Sequence, residues 1–336
     1  MEKRFNFYGN TVITKSENQN ILDILIKNFS YFEALEEIPK KNITILDIEL
    51  LLVEKIPYHQ IPPLISSKQT RNAVVYETKE VKYCDYYQEG LVIFDKVKNS
   101  AKIYCLELDF LHELSYLFIM SKIGKALDLQ GFHRIHACAF KKRETSIVCM
   151  MPMKGGKSTL FLKMMEDREV EYFSDDTPLI NSSGKIYPFP IRVGIKELPR
   201  YLKNKEKYIF EIKHKEFGSK NLIEISAFEN KIALTSGEKI ILVDAVRTTI
   251  EKGYLGPISN FKMILPLFKY MGIGLGLPII IEFFLENGFR GWRIQLCILF
   301  KRLYAIARLL IKSKSYRLIL GTDRDSNVSA IQELWH

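Results

Sequence analysis

One short segment constrains the fold of this chain more than any other: CMMPMKGGKSTLFLKMM, residues Cys149–Met165. A short apolar run, typical of a buried strand, ends in glycines that pass directly into a helical pattern. Two consecutive glycines let backbone N–H groups turn towards an anion, and the following helix contributes the positive end of its dipole. The segment therefore predicts a strand–loop–helix unit that holds phosphate groups.

The loop matches most of the G-x-x-x-x-G-K-[ST] phosphate-binding pattern, but its first position is Met151 instead of glycine. Lys157 is expected to reach the β- and γ-phosphates as a point charge, and Ser158 Oγ is expected to ligate Mg²⁺. A chance match at a helix start is the alternative, because lysine is abundant in this chain. The candidate nucleotide-binding residues are Lys154, Gly155, Gly156, Lys157, Ser158 and Thr159.

Two adjacent carboxylates, Asp175 and Asp176, follow an apolar strand, eighteen and nineteen residues after Lys157. One helix and one strand fill that distance, so the strand end can return beside the loop. Phosphoryl transfer needs a carboxylate that positions the metal, and often a second one that takes the proton of the acceptor. We interpret the pair as catalytic; a paired-Asp turn before Pro178 is the alternative.

The segment GFHRIHACAF places His133 and His136 on one predicted strand. Residues three apart on a strand face opposite sides, so at most one of the two histidines can point at a given site. For either residue, a histidine that is satisfied within the core is the alternative.

A strand histidine, a glycine loop and a strand that ends in Asp-Asp resemble the layout of the HPr kinase/phosphorylase superfamily, which shares its core with the phosphoenolpyruvate carboxykinases. His136 lies fifteen residues before Met151, as this layout requires. IHACAF is also similar to the LHASAV segment of HPr-kinase-related proteins from peptide-modification clusters. The resemblance covers residues 108–196, about a quarter of the chain.

The resemblance implies an ATP- and Mg²⁺-dependent kinase. His136 would lie beside the transferred phosphate, and Asp175 would be the general base for an acceptor hydroxyl. Asp176 would hold Mg²⁺ together with Ser158, and the two aspartate roles are interchangeable at this point. Arg192 is a candidate for charge stabilisation because a guanidinium forks onto phosphate oxygens, with a solvated strand arginine as the alternative.

No clear copy of the HPr-kinase signature region follows the Asp pair, which argues against HPr itself as the substrate. The expected acceptor is a hydroxyl, on Ser or Thr of a peptide or protein or on a small molecule. Maturation kinases of ribosomally made peptides, including lasso peptides, belong to this broader group. ATP, GTP and pyrophosphate stay open as donors, and homo-oligomerisation stays open because HPr kinases form hexamers. The alternatives are a non-catalytic nucleotide-binding scaffold or sensor, and a plain ATPase.

The pattern of elements predicts a mixed α/β fold with three regions. A small mixed N-terminal domain is expected over residues 1–107, and a phosphate-loop kinase core of HPr-kinase/PEP-carboxykinase type over 108–250. A helical, basic region is expected over 251–336. An amphipathic helix is predicted at Leu108–Gly131, and Arg200–Lys220 is interpreted as a mobile or inserted segment.

The formal net charge of +10 favours acidic partners, or reflects lysines on solvated faces. Asn287–Leu320 holds eight Lys or Arg and no Asp or Glu, and a long amphipathic helix is predicted over Trp292–Arg317. Its charges could lie in water above a helix packed on the core. Alternatively, the helix could contact anionic lipid or receive an acidic or apolar peptide. Nucleic acid is not expected, because no nucleic-acid-binding signature is present.

The N-terminus carries no apolar signal-peptide core, and the longest apolar run, Met271–Ile281, is interrupted by Pro278. The five cysteines form no CxxC motif and are interpreted as reduced thiols. A cytoplasmic location is therefore expected, with peripheral membrane contact left open.

Overall fold

The structure is a computed structural model, and it describes residues 1–33, 44–152, 155–195, 206–214, 218–285 and 288–335. These residues form a mixed α/β fold with several sheets, which confirms the mixed α/β part of the predicted fold class. Lys154, one of the predicted phosphate-binding residues, lies outside the described residues. The described helices include none long and apolar enough to cross a bilayer.

Strands outnumber α-helices in the described residues. The strands are β1 (Glu2–Phe7), β2 (Asn10–Lys15), β3 (Thr44–Leu52), β4 (Lys68–Gln69), β5 (Val74–Glu77), β6 (Val81–Asp85), β7 (Gly90–Asp95), β8 (Ser100–Cys105), β9 (Phe132–Arg134), β10 (Ala137–Lys142), β11 (Thr145–Met150), β12 (Glu171–Ser174), β13 (Leu179–Asn181), β14 (Ile186–Tyr187), β15 (Val193–Ile195), β16 (Ile209–His214), β17 (Gly218–Ile223), β18 (Lys239–Arg247), β19 (Tyr254–Ile258) and β20 (Ser313–Leu320). The α-helices are α1 (Gln19–Glu33), α2 (Leu108–Gln130), α3 (Lys157–Met164), α4 (Asn260–Leu267), α5 (Ile281–Phe284), α6 (Gly288–Ile311) and α7 (Arg324–Gln332). A π-helical turn follows α4 at Phe268–Ile273.

The chain divides into two compact units, and each contains segments that are distant in sequence. The N-terminal unit comprises Met1–Ala126, Phe210–Glu224 and Pro278–Leu285. The glycine-loop unit comprises Leu127–Ile209, Ile225–Leu277 and Glu286–His336. The functional division into regions 1–107, 108–250 and 251–336 stays a prediction.

The N-terminal unit is built on an eight-stranded sheet in the order β1-β2-β3-β8-β7-β6-β5-β4. Strands β2, β3 and β8 run parallel, and the remaining neighbours pair antiparallel. Helix α1 packs on β1 through aromatic side chains. The Phe29 ring lies 5.6 Å from that of Phe5, 5.4 Å from that of Phe7 and 5.5 Å from that of Tyr116 on α2. Aromatic packing thus closes the core of this unit on one face of its sheet.

The glycine-loop unit contains a six-stranded sheet in the order β12-β10-β11-β18-β20-β19. Its centre is parallel, since β11 pairs with β18 and β18 with β20 in the same direction. Ala137 at the start of β10 pairs with Met150 at the end of β11, and Ala139 pairs with Ser174 at the end of β12. This register brings the start of β10 and the ends of β11 and β12 to one edge of the sheet.

The predicted extent of the C-terminal helix is wrong. The predicted helix Trp292–Arg317 ends at Ile311, because Ser313–Leu320 instead forms β20 beside β18. Within β20, buried and more exposed residues alternate at first, which is the two-residue period of a strand.

The segment Arg200–Lys220 contributes to β16 and β17, which pair with each other, and its residues 200–205 and 215–217 lie outside the described residues.

The predicted helix that begins at Leu108 is confirmed. It ends at Gln130 and is followed by Gly131 with a φ of +87°, a left-handed conformation that suits glycine. The prediction that one strand carries both histidines is wrong. Strand β9 ends at Arg134 and β10 begins at Ala137, and the two strands belong to different sheets.

A buried ionic network joins helices α2 and α6 inside the glycine-loop unit. Arg302 donates from Nε to Asp128 Oδ1 at 2.9 Å and from Nη2 to Asp128 Oδ2 at 2.6 Å. His133 Nδ1 lies 2.9 Å from Asp128 Oδ1, and Arg302 Nη1 donates to the Gly272 carbonyl at 2.9 Å. Burial alone would raise the pKa of Asp128, but the Arg302 charge and the hydrogen bonds from His133 and Arg302 hold that pKa below its usual value.

Substitution of Arg302 should strongly destabilise this unit. Arg302→Met would leave the Asp128 carboxylate buried without its countercharge, and we expect a loss of about 3–5 kcal/mol in the free energy of unfolding. Urea denaturation followed by circular dichroism would measure the loss. The matched control is Lys102→Met, which breaks the exposed Lys102–Glu49 pair and should cost less than about 1 kcal/mol. Similar losses in both variants would contradict a structural role for the network.

Candidate functional site

The glycine loop between β11 and α3 is shaped by two glycines with different requirements. Gly155 N donates to the Pro152 carbonyl at 2.9 Å, and a Cβ on Gly155 would lie only 2.7 Å from that same oxygen. Gly156 has a φ of +97°, in the left-handed region, and its carbonyl accepts a hydrogen bond from Leu160 N at 2.8 Å. A side chain at Gly155 would clash with the Pro152 carbonyl, and one at Gly156 would strain the backbone. Both positions therefore require glycine.

Met151 occupies the position at which the phosphate-loop pattern has its first glycine. Its side chain is buried, and it directly continues β11. Gly155 N instead donates to the carbonyl of Pro152, the residue that follows Met151. Because this hydrogen bond does not involve Met151, that position can accommodate a side chain.

Three residues from separate elements meet at the start of α3. Lys157 Nζ lies 2.8 Å from His136 Nε2 and 3.7 Å from Asp176 Oδ1. His136 Nδ1 lies 3.2 Å from the same carboxylate oxygen. The structure therefore brings together the predicted lysine, the predicted histidine and one predicted aspartate.

The turn after β12 holds Asp176 in this position. Ser174 Oγ accepts hydrogen bonds from Asp176 N at 3.3 Å and from Thr177 N at 3.0 Å. The Asp176 carbonyl accepts a hydrogen bond from Ala137 N at 3.0 Å, next to His136. Backbone hydrogen bonds therefore hold the segments of both Asp176 and His136, in addition to the contacts of their side chains.

His136 is mostly buried, and this burial lowers its pKa below the ordinary value of 6.5. The Asp176 charge raises the pKa and the Lys157 charge lowers it, so the net shift is downward. A neutral imidazole that accepts from the Lys157 ammonium at Nε2 carries its proton on Nδ1, facing Asp176. Because the folded pKa is lowered, the contribution of His136 to stability is present above the unfolded value of 6.5 and is lost as the pH falls from there through the folded pKa.

The glycine-rich segment after the π-helical turn packs directly on His136. The Tyr270 carbonyl accepts a hydrogen bond from His136 N at 3.1 Å. A Cβ on Gly276 would lie 2.6 Å from His136 Cδ2 and 2.7 Å from Nε2, and the Gly276 φ is +92°. Only glycine fits this close approach, so the segment forms a wall of the histidine pocket.

The remaining predicted residues are neighbours of the cluster in the chain or belong to segments that contact α3. Asp175 is buried at the end of β12, and Ser158 and Thr159 are partly buried in the first turn of α3. Arg192 is half-buried and directly precedes β15, which packs against α3.

Sequence reasoning missed an ion pair at the same edge of the sheet. Asp244 on β18 pairs in register with Met150, and its Oδ2 accepts from Arg317 Nη2 at 2.9 Å and Nε at 3.2 Å. Ligands of open α/β sheets bind at the carboxyl ends of parallel strands, where this pair lies. The signal in the sequence was an apolar strand, KIILVDAV, that carries an aspartate near its end.

The donors at this site suit Mg²⁺ held mainly by phosphates and water. Ser158 and Asp176 would supply oxygen ligands, which Mg²⁺ prefers, and Mg²⁺ usually takes only one or two carboxylates from the protein. No group of three or more His, Cys, Asp and Glu with the arrangement of a metal site occurs within the described ranges. Neither a protein-family model nor a curated protein matches this chain.

The titration of His136 should respond in opposite directions to its two charged neighbours. Asp176→Asn removes the charge that raises the pKa and should lower it further, whereas Lys157→Met should raise it. NMR titration of ¹⁵N-labelled histidines would measure both shifts. Lys163→Met is the control, because Lys163 lies on the same helix but pairs with Glu166 and Asp325. Shifts of the same sign in the two variants would contradict this electrostatic account.

Proposed function

We propose that this chain is a phosphate-loop kinase that binds Mg-ATP at Gly155–Thr159 and transfers the γ-phosphate to a hydroxyl. One observation carries the proposal: Lys157, at the start of the loop helix, lies between His136 and Asp176. The proposal assigns Lys157 to the phosphates because it lies beside a carboxylate, and phosphoryl transfer depends on such positioned charges.

Lys157 keeps the capacity to bind a phosphate within this cluster. An ammonium group has three N–H donors. His136 Nε2 takes one at 2.8 Å, and the Met151 carbonyl lies 3.4 Å from Nζ. A third donor can therefore reach a phosphate oxygen while the contact with His136 persists.

The two aspartates supply the remaining roles in this proposal. Asp176 and Ser158 would hold Mg²⁺, which neutralises the charge that develops on the phosphates. Asp175 would accept the proton of the acceptor hydroxyl as its oxygen bonds to the γ-phosphorus and the bond to the β–γ bridging oxygen breaks, releasing ADP. His136, neutral at physiological pH, would hold Lys157 without adding a positive charge.

Two arginines could stabilise the transferred phosphate. Arg192 precedes β15, which packs on the loop helix. Arg317 is paired with Asp244, and its side chain keeps 39% of its accessible surface. A guanidinium with exposed donors can bind phosphate oxygens in a bidentate manner. Arg317 thus joins Arg192 as a candidate for this role.

The acceptor and the fold type belong to the same proposal. The order of histidine, glycine loop and Asp-Asp resembles the HPr-kinase/PEP-carboxykinase core, and the contacts of Lys157 with His136 and Asp176 support this part of the proposal. A Ser or Thr hydroxyl of a peptide or protein, for example a ribosomally made precursor peptide, is therefore the proposed acceptor, and the cytoplasm the proposed place of action.

Nucleotide binding should depend on Lys157. Calorimetric titration with Mg-ATP should give binding to the wild-type protein that weakens at least about tenfold in Lys157→Ala, because a charge-assisted contact of about 1.4 kcal/mol or more is lost. Lys163→Ala removes a lysine from the same helix, where it pairs with Glu166 and Asp325, and should bind like the wild type. A folded wild-type protein that binds no Mg-nucleotide would overturn the proposal.

Loss of either aspartate should separate binding from catalysis. In Asp175→Asn and Asp176→Asn, nucleotide binding should persist, but phosphate transfer or ATP turnover should fall by a factor of about 10² or more. Asp176→Asn should also raise the Mg²⁺ concentration needed for half-maximal turnover. A wild-type protein that binds nucleotide without turnover, and variants that behave alike, would indicate a non-catalytic sensor or scaffold instead.

A further inference from the structure

Helix α6 is apolar on two opposite sides. One side packs into the core through Ile298, Ala305, Ile306 and Leu309, with the buried Arg302 between them. At about 100° per residue, the exposed apolar residues all fall on the other side. Trp292 keeps 69%, Phe300 67% and Ile311 76% of its accessible surface. Among the residues of α6 whose side chains the structure describes, the large exposed apolar ones are Trp292, Leu296, Phe300, Leu303, Tyr304 and Ile311.

Helix α4 extends this surface within the same unit. Asn260 Nδ2 donates to the Leu310 carbonyl at 2.8 Å, so the start of α4 lies beside the end of α6. Phe261 follows Asn260 and is 80% exposed, and Leu265, one turn later, is 73% exposed. We call these two residues and the exposed residues of α6 the apolar face. Large exposed apolar patches mark surfaces that bind a partner or a membrane.

The two segments that carry the apolar face contain no acidic residue. The segments Ser259–Ile281 and Asn287–Thr322 contain no aspartate or glutamate. The exposed cations in these segments are Lys262, Lys269, Arg293, Lys312 and Lys314. The surface therefore combines large apolar side chains with cations that no neighbouring carboxylate of the same segments neutralises.

We propose that the apolar face docks on an anionic lipid surface. Tryptophan, tyrosine and phenylalanine would enter the interface between headgroups and acyl chains, while the surrounding lysines and arginines would contact lipid phosphates. A symmetric dimer through this face would place the same cations against each other, which opposes self-association. An anionic bilayer satisfies both the apolar and the cationic groups.

This proposal is independent of nucleotide binding. The apolar face belongs to α4 and α6, whereas the kinase proposal rests on the loop, β10 and β12. Lys157→Ala should therefore bind vesicles as the wild type does, even where it no longer binds Mg-ATP.

Vesicle flotation of the full-length protein tests the proposal. The protein should float with phosphatidylcholine vesicles that contain phosphatidylglycerol, and not with phosphatidylcholine alone. Partitioning should weaken with added salt. Trp292→Ser/Phe300→Ser should bind at least about tenfold more weakly, because two large apolar groups are lost from the interface. The matched control, Ile65→Ser/Val97→Ser, removes two exposed apolar residues, 94% and 74% exposed, from the N-terminal unit and should bind normally.

Tryptophan fluorescence provides a second readout that does not depend on the folding of these variants. The chain has two tryptophans, so Trp335→Phe leaves Trp292 as the sole reporter. Its emission should shift to shorter wavelength with anionic vesicles only. An unchanged spectrum together with no flotation would overturn the proposal. A dimer seen by light scattering and lost in Trp292→Ser/Phe300→Ser, without vesicle binding, would assign the face to a second copy. Vesicle-independent binding of acidic peptides at this face would assign it to a peptide.

Discussion

The contact of Lys157 with His136 and Asp176 depends on the register of three strands. Because β10 runs antiparallel to both β11 and β12, its start lies beside the ends of the other two. A histidine before β10, a loop after β11 and an aspartate after β12 therefore converge on one edge of the sheet. The neutral histidine and the anionic aspartate then offset the cost of a lysine that is nine-tenths buried. A slip by one residue in either pairing would separate the three groups.

Local sequence was sufficient to predict much of this site. The glycines, Lys157 and the Asp pair each have a short-range signature, and the strand–loop–helix order placed them together. No such signature indicated that His136 contacts Lys157 whereas His133 contacts Asp128. His133 contacts Asp128. Asp128 also binds Arg302, which lies 174 positions after it in the chain. Periodicity within a ten-residue segment carries no information about a partner at that distance. Asp244 was overlooked for the same reason, because its position beside the loop depends on the pairing of β18 with β11.

Helix α6 shows where periodicity misleads. Its sequence has apolar residues on more than one side, so a core-facing stripe with charges outside was the simplest interpretation. In the structure an arginine lies inside, while a tryptophan and a phenylalanine lie outside. The burial of Arg302 is tolerated because Asp128 neutralises its charge and the Gly272 carbonyl accepts a hydrogen bond from it. A buried cation on a helix becomes predictable only when its buried anion is known.

The same network bears on the energetics of the apolar face. Free amphipathic peptides must fold into a helix as they bind, and that ordering reduces their affinity. Helix α6 is already held by the Arg302–Asp128 pair and by its packed inner side, so its outer side chains are presented on a fixed backbone. Preorganisation would lower the entropy lost on the proposed docking to lipid, and fewer inserted side chains would then suffice for a given affinity. Arg302 thus binds the Gly272 carbonyl, just before the segment that packs on His136, and it also holds the helix that carries the apolar face.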